Sequence, residues 1–340
     1  MQPCLNKIDS KRFRIGLVTS LLVLILSYPA AWAVESGMLS ITAEGVTAAR
    51  AIFAQHPDPK VRNDDYLAMK LVAPEYWHYS LMKPDYQTGV LITKTFRFDT
   101  NYYVNARTKH MDTLLKEAAK DGATQVVNLG AGYDSRAYRF RDIMPKARFF
   151  EIDLPAMIEE KKRRLKVALG YVPDDVAYVP IDFNTQNIPD ELKKAGYDPD
   201  RKTFFIWEGV TMYISPEAVD STLRFIATQS APGSSVVFDY MPLGAIQGDY
   251  KKYPDIRRLA FWVAYRGEPF VFGIKAGESV TYVSQRGLKV MSDLNPKDLE
   301  KRYLTRSDGT LDGPCTQCIS HHACTRTGIA NPAEQDNWKG

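Results

Sequence analysis

Short apolar runs alternate with segments of helical periodicity from about residue 125 onward. The runs predict strands at 126–129, 149–153, 177–183, 202–208, 234–240 and 287–294. Helical spacing and capping residues predict helices at 42–55, 64–72, 106–120 and 155–169, and further helices after Ser215 and from Pro296 to Tyr303. This alternation predicts an α/β fold with a mostly parallel sheet that is covered by helices on both faces. Ligands of such sheets bind beyond the carboxyl ends of the strands.

The N-terminus has a different pattern. An apolar run at 15–26 follows four basic residues and precedes the small-residue sequence Ala31-Trp32-Ala33. A basic start, an apolar middle and a small-x-small end are typical of a secretory signal peptide, here over residues 1–33. The run is short for a membrane span, although an uncleaved anchor is an alternative. We therefore expect an exported or membrane-tethered protein, or a cytoplasmic one if translation starts at Met38.

Composition and charge limit the classes of function. The chain has 340 residues, 45% hydrophobic and 25% charged, which suits one large α/β domain with insertions or two small domains. We assign a main domain to 40–305 and a tail to 306–340. The formal charge of +4 falls to +1 without residues 1–33, and no basic stripe is visible. We expect no nucleic-acid partner, and contact with a membrane only through the N-terminal segment.

A glycine turn ends the first predicted strand. Gly130 and Gly132 lie between that strand and a polar segment that could begin a helix, and Asp153 ends the next strand 21 positions after Gly132. Glycines let the backbone turn tightly and approach a ligand, and an acid at this position can hold the hydroxyls of a ribose. The pattern predicts a nucleotide-type site.

Two more acidic residues lie at the ends of predicted strands, Asp182 in the third and Glu208 in the fourth. Each could be explained without a ligand, Asp182 by an Asx turn and Glu208 by a solvated loop. Acidic residues at several strand ends favour a cationic ligand. A dinucleotide fingerprint requires Gly or Ala where this chain has Ser135, and Asp134 would repel a pyrophosphate. S-adenosylmethionine, a sulfonium without phosphate, suits these residues better than NAD.

Three blocks resemble the leucine carboxyl methyltransferase family, including its bacterial branch. They are Asn128-Leu129-Gly130-Ala131-Gly132-Tyr133-Asp134-Ser135-Arg136, Phe150-Glu151-Ile152-Asp153-Leu154-Pro155 and Trp207-Glu208-Gly209-Val210-Thr211-Met212-Tyr213. The resemblance implies a class I methyltransferase fold, which is Rossmann-like, and S-adenosylmethionine as the cofactor. It further implies that Asp153 holds the ribose, Asp182 and Phe183 flank the adenine, Glu208 contacts the methionine end, and Arg107 grips its carboxylate.

The sequence gives less information about the acceptor of the methyl group. A carboxylate acceptor needs no base, whereas a hydroxyl acceptor needs one nearby. Asp239 and Tyr240, which end the fifth predicted strand, are the candidates for that base. Residues 40–105 and 242–284 are candidates for a helical, aromatic-rich lid over the site, although ordinary packing would explain the aromatics equally well. We expect a small-molecule or carboxyl-bearing acceptor.

The tail concentrates thiols and imidazoles. Cys315, Cys318, His321, His322 and Cys324 fall within ten residues. Such residues can bind zinc, although they are closer together than in a usual zinc finger. A disulfide between two of the cysteines is the alternative in an exported chain.

Two other functions stay open. An exported protein could keep the fold as a non-catalytic binding protein, because S-adenosylmethionine is made in the cytoplasm. An oxidoreductase that uses NAD(P) is the other alternative, and binding of NAD without S-adenosylmethionine would support it.

Overall fold

A seven-stranded sheet forms the centre of the protein. The computed structural model describes residues 39–73, 86–96, 100–315 and 319–326. The strand order is β3-β2-β1-β4-β5-β7-β6. The strands are β1 (Gln125–Leu129), β2 (Arg148–Asp153), β3 (Val176–Pro180), β4 (Thr203–Trp207), β5 (Ser235–Tyr240), β6 (Leu288–Leu294) and β7 (Ser320–Arg326). Strands β1 to β5 pair in parallel, and β7 runs antiparallel to both of its neighbours. The predicted α/β architecture with a mostly parallel sheet is confirmed.

Helices connect and cover the strands. In chain order they are α1 (Ile41–Phe53), α2 (Ala68–Leu71), α3 (Tyr86–Phe96), α4 (Thr100–Lys120), α5 (Arg136–Arg139), α6 (Pro155–Leu169), α7 (Ile188–Lys194), α8 (Pro216–Gln229), α9 (Leu243–Ile246), α10 (Ile256–Tyr265), α11 (Ser279–Ser284) and α12 (Pro296–Tyr303). Ser40, Ser215 and Asn295 cap α1, α8 and α12 with their side chains, because each accepts a hydrogen bond from a first-turn amide. These helix starts agree with the sequence to within one residue.

Both faces of the sheet are buried at its central strands, β1, β4 and β5. Neighbouring residues of β4 point to opposite faces, so that Phe205 and Trp207 belong to one apolar cluster and Phe204 and Ile206 to the other. This two-sided burial explains why the strands read as continuous apolar runs. A third apolar cluster joins α1 and α4 to α10, and it lies beside the carboxyl ends of the central strands.

The C-terminal part contradicts one domain boundary. The sequence predicts a main domain that ends at residue 305, yet β7 belongs to the same sheet and pairs with β5 from Ser235–Thr325 to Tyr240–Ser320. Without β7, the facing edges of β5 and β6 would have unpaired backbone groups. The tail therefore completes the sheet.

Smaller differences concern helix lengths. Only Ala68–Leu71 of the predicted helix 64–72 is helical, and just before it the Asp65 carboxylate accepts a hydrogen bond from the Ala68 amide at 3.0 Å. Helix α4 begins at Thr100 rather than at residue 106. Residues 15–26 lie outside the described part of the chain, in which no helix is both long and apolar enough to span a membrane.

Candidate functional site

The glycine turn after β1 requires glycine for two reasons. Gly130 and Gly132 both have positive φ, 74° and 43°. A Cβ on Gly130 would also lie 2.3 Å from Cγ2 of Val210. The tight turn that the sequence predicts is present, and it brings the backbone close to the segment that follows β4.

Asp153 lies directly beside this turn, because β2 pairs with β1. The Gly132 amide donates to Oδ2 of Asp153 at 2.6 Å, and the Leu154 amide donates to Oδ1 at 2.7 Å. Burial raises the pKa of Asp153, and these two donors oppose that rise. Each carboxylate oxygen has a second lone pair, so the group can still accept a ribose hydroxyl.

Asp182 and Phe183 follow β3, the neighbour of β2 at the sheet edge. Both are partly exposed, and the Ile181 amide donates to the Asp153 carbonyl at 2.8 Å, so they lie on the same rim. The Asn184 amide donates to Oδ1 of Asp182 at 2.9 Å. This is the Asx turn considered above, and it leaves the other carboxylate oxygen, Oδ2, for a ligand.

Arg107 and Glu208 form an ion pair at the centre of the rim. Arg107 lies on α4, and Glu208 directly follows β4. Nε of Arg107 donates to Oε1 of Glu208 at 3.0 Å. Burial favours the neutral form of Glu208, but the guanidiniums of Arg136 and Arg107 outweigh it and hold the pKa of Glu208 below its ordinary value. Both residues stay charged at neutral pH.

A larger ionic network surrounds this pair. It contains the four arginines Arg50, Arg107, Arg136 and Arg139 and the five acids Asp65, Asp112, Asp134, Glu208 and Asp239. Arg136 is its centre, because Nη1 bonds Glu208 at 2.7 Å and Nε bonds Asp112 at 2.6 Å. Counted as ions, the network has one negative charge in excess.

Sequence reasoning missed Arg136, which follows the glycine turn in the motif Asp134-Ser135-Arg136. Its guanidinium also pairs with Asp134, whose pKa is lowered because the attraction of Arg136 and Arg50 exceeds the opposing effect of burial. Asp134 is therefore neutralised within the protein. The expectation that its free charge would repel a pyrophosphate was too simple.

The two candidate bases have partners of their own. Asp239 is fully buried and accepts from Arg107 at 2.7 Å, from the Gly209 amide at 2.7 Å and from the Tyr103 hydroxyl at 3.1 Å. The Tyr240 hydroxyl donates to Asp293 at 3.2 Å, and burial raises the pKa of Tyr240 to about 12. The contacts of Asp239 fix the position of Arg107.

The start of α1 lies over the glycine turn. A Cβ on Gly132 would be in ordinary contact with Ala43, 3.6 Å away. The Ile41 amide donates to Oε1 of Glu268 at 3.2 Å, so the segment after β5 meets α1 at this point. Glu268 was missed in the sequence, where it is one acid among many. These contacts support the lid that we expect from 40–105 and 242–284.

The thiols and imidazoles of the tail are separated by the fold. Cys315 and Cys324 are free, buried in different apolar clusters, and burial raises the pKa of each to about 12. His321 bonds Tyr103 at 2.9 Å, and His322 stacks on Tyr240. Cys318 lies outside the described residues, among which no group of three or more His, Cys, Asp or Glu could hold a metal ion.

Comparison with known proteins agrees with this architecture. A protein of Mycolicibacterium smegmatis, named as a candidate S-adenosyl-L-methionine-dependent methyltransferase, is 36% identical over 204 residues, 59% of this chain and 66% of the relative. A Streptomyces coelicolor protein with the same description is 34% identical over 218 residues, 64% of this chain and 74% of the relative. The matched regions thus span about two thirds of the first relative and about three quarters of the second.

Structural comparison supports the fold independently. The crystal structure of a DUF574 family protein from Streptomyces avermitilis aligns with a TM-score of 0.53 at 16% identity, over 74% of this chain and 95% of that one. The class I methyltransferase fold implied by the resemblance is confirmed. The model of the leucine carboxyl methyltransferase family matches residues 43–227, more than half of the chain. The chain therefore belongs to the leucine carboxyl methyltransferase family.

Proposed function

We propose that this protein is an S-adenosylmethionine-dependent methyltransferase that methylates an oxygen atom of its acceptor. The observation that carries the proposal is the common rim on which Asp153, the glycine turn and the Arg107–Glu208 pair lie. The descriptions of the relatives support the same cofactor and reaction class. They do not support the alternatives of an NAD(P) oxidoreductase or of a non-catalytic binding protein.

The residues at the rim fit the parts of S-adenosylmethionine. Asp153 would accept the ribose hydroxyls, and Asp182 and Phe183 would flank the adenine. Arg107 uses two of its five N–H donors on Glu208 and Asp239 in the described part of the chain, so others remain for the methionine carboxylate. The Glu208 carboxylate would accept from the ammonium group of the cofactor.

The charge of the site also suits this cofactor. S-adenosylmethionine has two cationic groups and one carboxylate, so its net charge is positive. The ionic network has one carboxylate in excess, and Asp153 adds another nearby. A dinucleotide with its negative pyrophosphate would gain nothing from this excess.

The protein's own contribution to the reaction is mainly alignment. The cofactor supplies a methyl group already activated on a sulfonium, so the residues around it must hold it and keep water out. Asp153, Glu208 and Arg107 would fix its two ends. The start of α1 and the segment around Glu268 would close the site above the glycine turn.

Among oxygen acceptors, we favour a carboxylate on a small molecule or another carboxyl-bearing partner. A hydroxyl acceptor would need a base. Asp239 is already occupied by three donors including Arg107, and Tyr240, with its pKa near 12, is protonated at neutral pH. A carboxylate is ionised without help, so it fits a site in which both candidate bases have other roles.

Radiolabelled methyl transfer tests this proposal. The full chain is incubated with tritiated S-adenosylmethionine and a small-molecule extract, and the products are treated with mild base. Methyl esters of carboxyl groups release volatile methanol, whereas methyl ethers are stable. We expect base-labile label. Base-stable label would contradict the carboxyl acceptor, and the absence of any transfer, in protein shown to be folded, would contradict the proposed activity.

A further inference from the structure

Helix α10 presents an aromatic stripe to solvent. Arg257, Phe261 and Tyr265 follow each other at four-residue spacing, which places them on one helix face. Phe261 is 74% exposed and Tyr265 is 44% exposed, and their rings stack with centroids 6.5 Å apart. The opposite face holds Ile256 and Val263, which are buried. Large exposed aromatics on an otherwise anchored helix indicate a contact surface.

The surroundings of this stripe are basic. Lys251, Lys252 and Arg257 are exposed, as is Arg258, while Asp249 and Asp255 are the exposed acids of the same stretch. Four cations against two anions give the stretch 249–258 a positive charge. An open groove beside Phe261 is lined in part by Tyr250, Arg257 and Ala264. Aromatic rings next to basic side chains match the interface of an anionic lipid bilayer.

The position of α10 relative to the N-terminal chain gives a second, independent argument. Glu268, three residues after Tyr265, accepts the Ile41 amide at 3.2 Å. Leu39, the first described residue, is 42% exposed. Only residues 27–38 separate it from the apolar run at 15–26, and twelve residues reach at most about 40 Å. The sequence most suited to lipid is therefore tethered within reach of the aromatic stripe.

We propose that the outer face of α10 is a membrane-contact surface that rests on anionic phospholipid, with Phe261 and Tyr265 at the level of the headgroups. Arg257 and the neighbouring lysines would attract the lipid phosphates. The apolar run at 15–26 would hold the same bilayer within reach. This proposal is independent of the proposed methyl transfer.

Site-specific photo-crosslinking in the full chain tests the surface. The photoreactive residue is introduced as Phe261→p-benzoyl-phenylalanine and, as a control, as Val167→p-benzoyl-phenylalanine on α6, where Val167 is 77% exposed. Helix α6 follows β2, in the other half of the sheet. Each protein is reconstituted in vesicles of phosphatidylglycerol and phosphatidylcholine, or of phosphatidylcholine alone, and adducts are identified by mass. We expect a phospholipid adduct at 261 in the anionic vesicles and little at 167.

A charge reversal separates contact by α10 from mere attachment by the N-terminus. Arg257→Glu should lower the lipid adduct at 261 by about fivefold or more, because each basic side chain near an anionic surface contributes about 1 kcal/mol. Lys166→Glu, an exposed change beside the control position, should leave it unchanged. Equal lipid adducts at 261 and 167, adducts at 261 to a second copy or to another segment of this chain, or no effect of Arg257→Glu would overturn the proposal.

Discussion

Nη1 of Arg107 donates to Oδ2 of Asp239 at 2.7 Å in a fully buried ion pair. The pair joins α4, which precedes β1, to the end of β5, 132 residues later. The same guanidinium reaches Glu208 at the end of β4. The contact fixes one arginine against two neighbouring strand ends, where we expect it to meet the methionine carboxylate of the cofactor.

Removing the charge of Asp239 should therefore destabilise the protein strongly. Asp239→Asn would leave the buried Arg107 with Glu208 and without its second anion, and we expect the free energy of unfolding to fall by about 3 kcal/mol. Asp175→Asn is the matched control, because the exposed Asp175 pairs with Arg141 at the surface, where such pairs contribute at most about 1 kcal/mol. Urea denaturation of both variants measures the difference, and equal losses would contradict the importance of the buried pair.

Tyr103 should influence only the binding of the methionine end of S-adenosylmethionine. Its hydroxyl donates to Asp239 at 3.1 Å and contacts His321 at 2.9 Å, so Tyr103→Phe loosens Asp239 and, through it, Arg107. We expect affinity for S-adenosylmethionine to fall about fivefold, equivalent to about 1 kcal/mol. Affinity for 5′-methylthioadenosine, which lacks the amino-acid part, should not change.

Calorimetric titration with both ligands distinguishes this effect from general damage. Tyr171→Phe, at an exposed position, is the control for the loss of a tyrosine hydroxyl. A parallel loss of affinity for both ligands would mean that Tyr103 supports the fold without positioning Arg107.

The glycine turn offers a pair of matched substitutions. Gly130→Ala would force a side chain into positive φ and place its Cβ 2.3 Å from Val210. Gly170→Ala has the same backbone problem, with φ +87°, but nothing within 4 Å of the new carbon. We expect Gly170→Ala to cost about 1 to 2 kcal/mol of unfolding free energy, and Gly130→Ala to cost about 1 to 3 kcal/mol more. Similar losses of unfolding free energy in denaturation experiments would show that the turn can shift to accommodate the added Cβ.

Stability should depend on pH through His110. Burial lowers the pKa of His110 from 6.5 to about 4. The folded protein therefore keeps His110 neutral while the unfolded chain takes up a proton, so this contribution is complete above pH 6.5 and is lost as the pH falls toward 4. Between pH 7 and pH 5 we expect this one group to reduce the free energy of unfolding by about 2 kcal/mol.

Replacing that histidine tests the assignment. His110→Asn lowers stability at both pH values because packing is lost, but the decrease from pH 7 to pH 5 should be smaller than in the wild type. Urea denaturation at the two pH values measures it. An unchanged difference would assign the pH dependence to other groups.

Local patterns were sufficient to predict the glycine turn and strands β1 to β6, although β3 ends at Pro180 rather than at residue 183. The apolar runs that end in Asp153 and Glu208 predict the bounds of β2 and β4 to within one residue. Strands that are buried on both faces have apolar side chains at successive positions, so the sequence shows them directly. The positive φ of Gly130 and Gly132 and the contact of Asp153 with this turn follow from the same short-range signals.

Long-range pairings could not be predicted in this way. Strand β7 has the polar sequence Ser-His-His-Ala-Cys-Thr-Arg, and it is a strand because β5 and β6 lie on either side of it. The contact of Arg136 with Glu208 joins residues 72 positions apart. Neither has a periodic or spacing signal, so only the folded chain reveals them.

Binding of S-adenosylmethionine by the wild type and by Asp153→Asn tests the central claim most directly. Isothermal titration should show one site in the wild type, an affinity lower by at least about tenfold in Asp153→Asn, because a ribose hydroxyl loses a charged acceptor, and no change in Asp190→Asn, an exposed acid at the start of α7. The account would be contradicted if the folded wild type did not bind S-adenosylmethionine at millimolar concentration but did bind NAD.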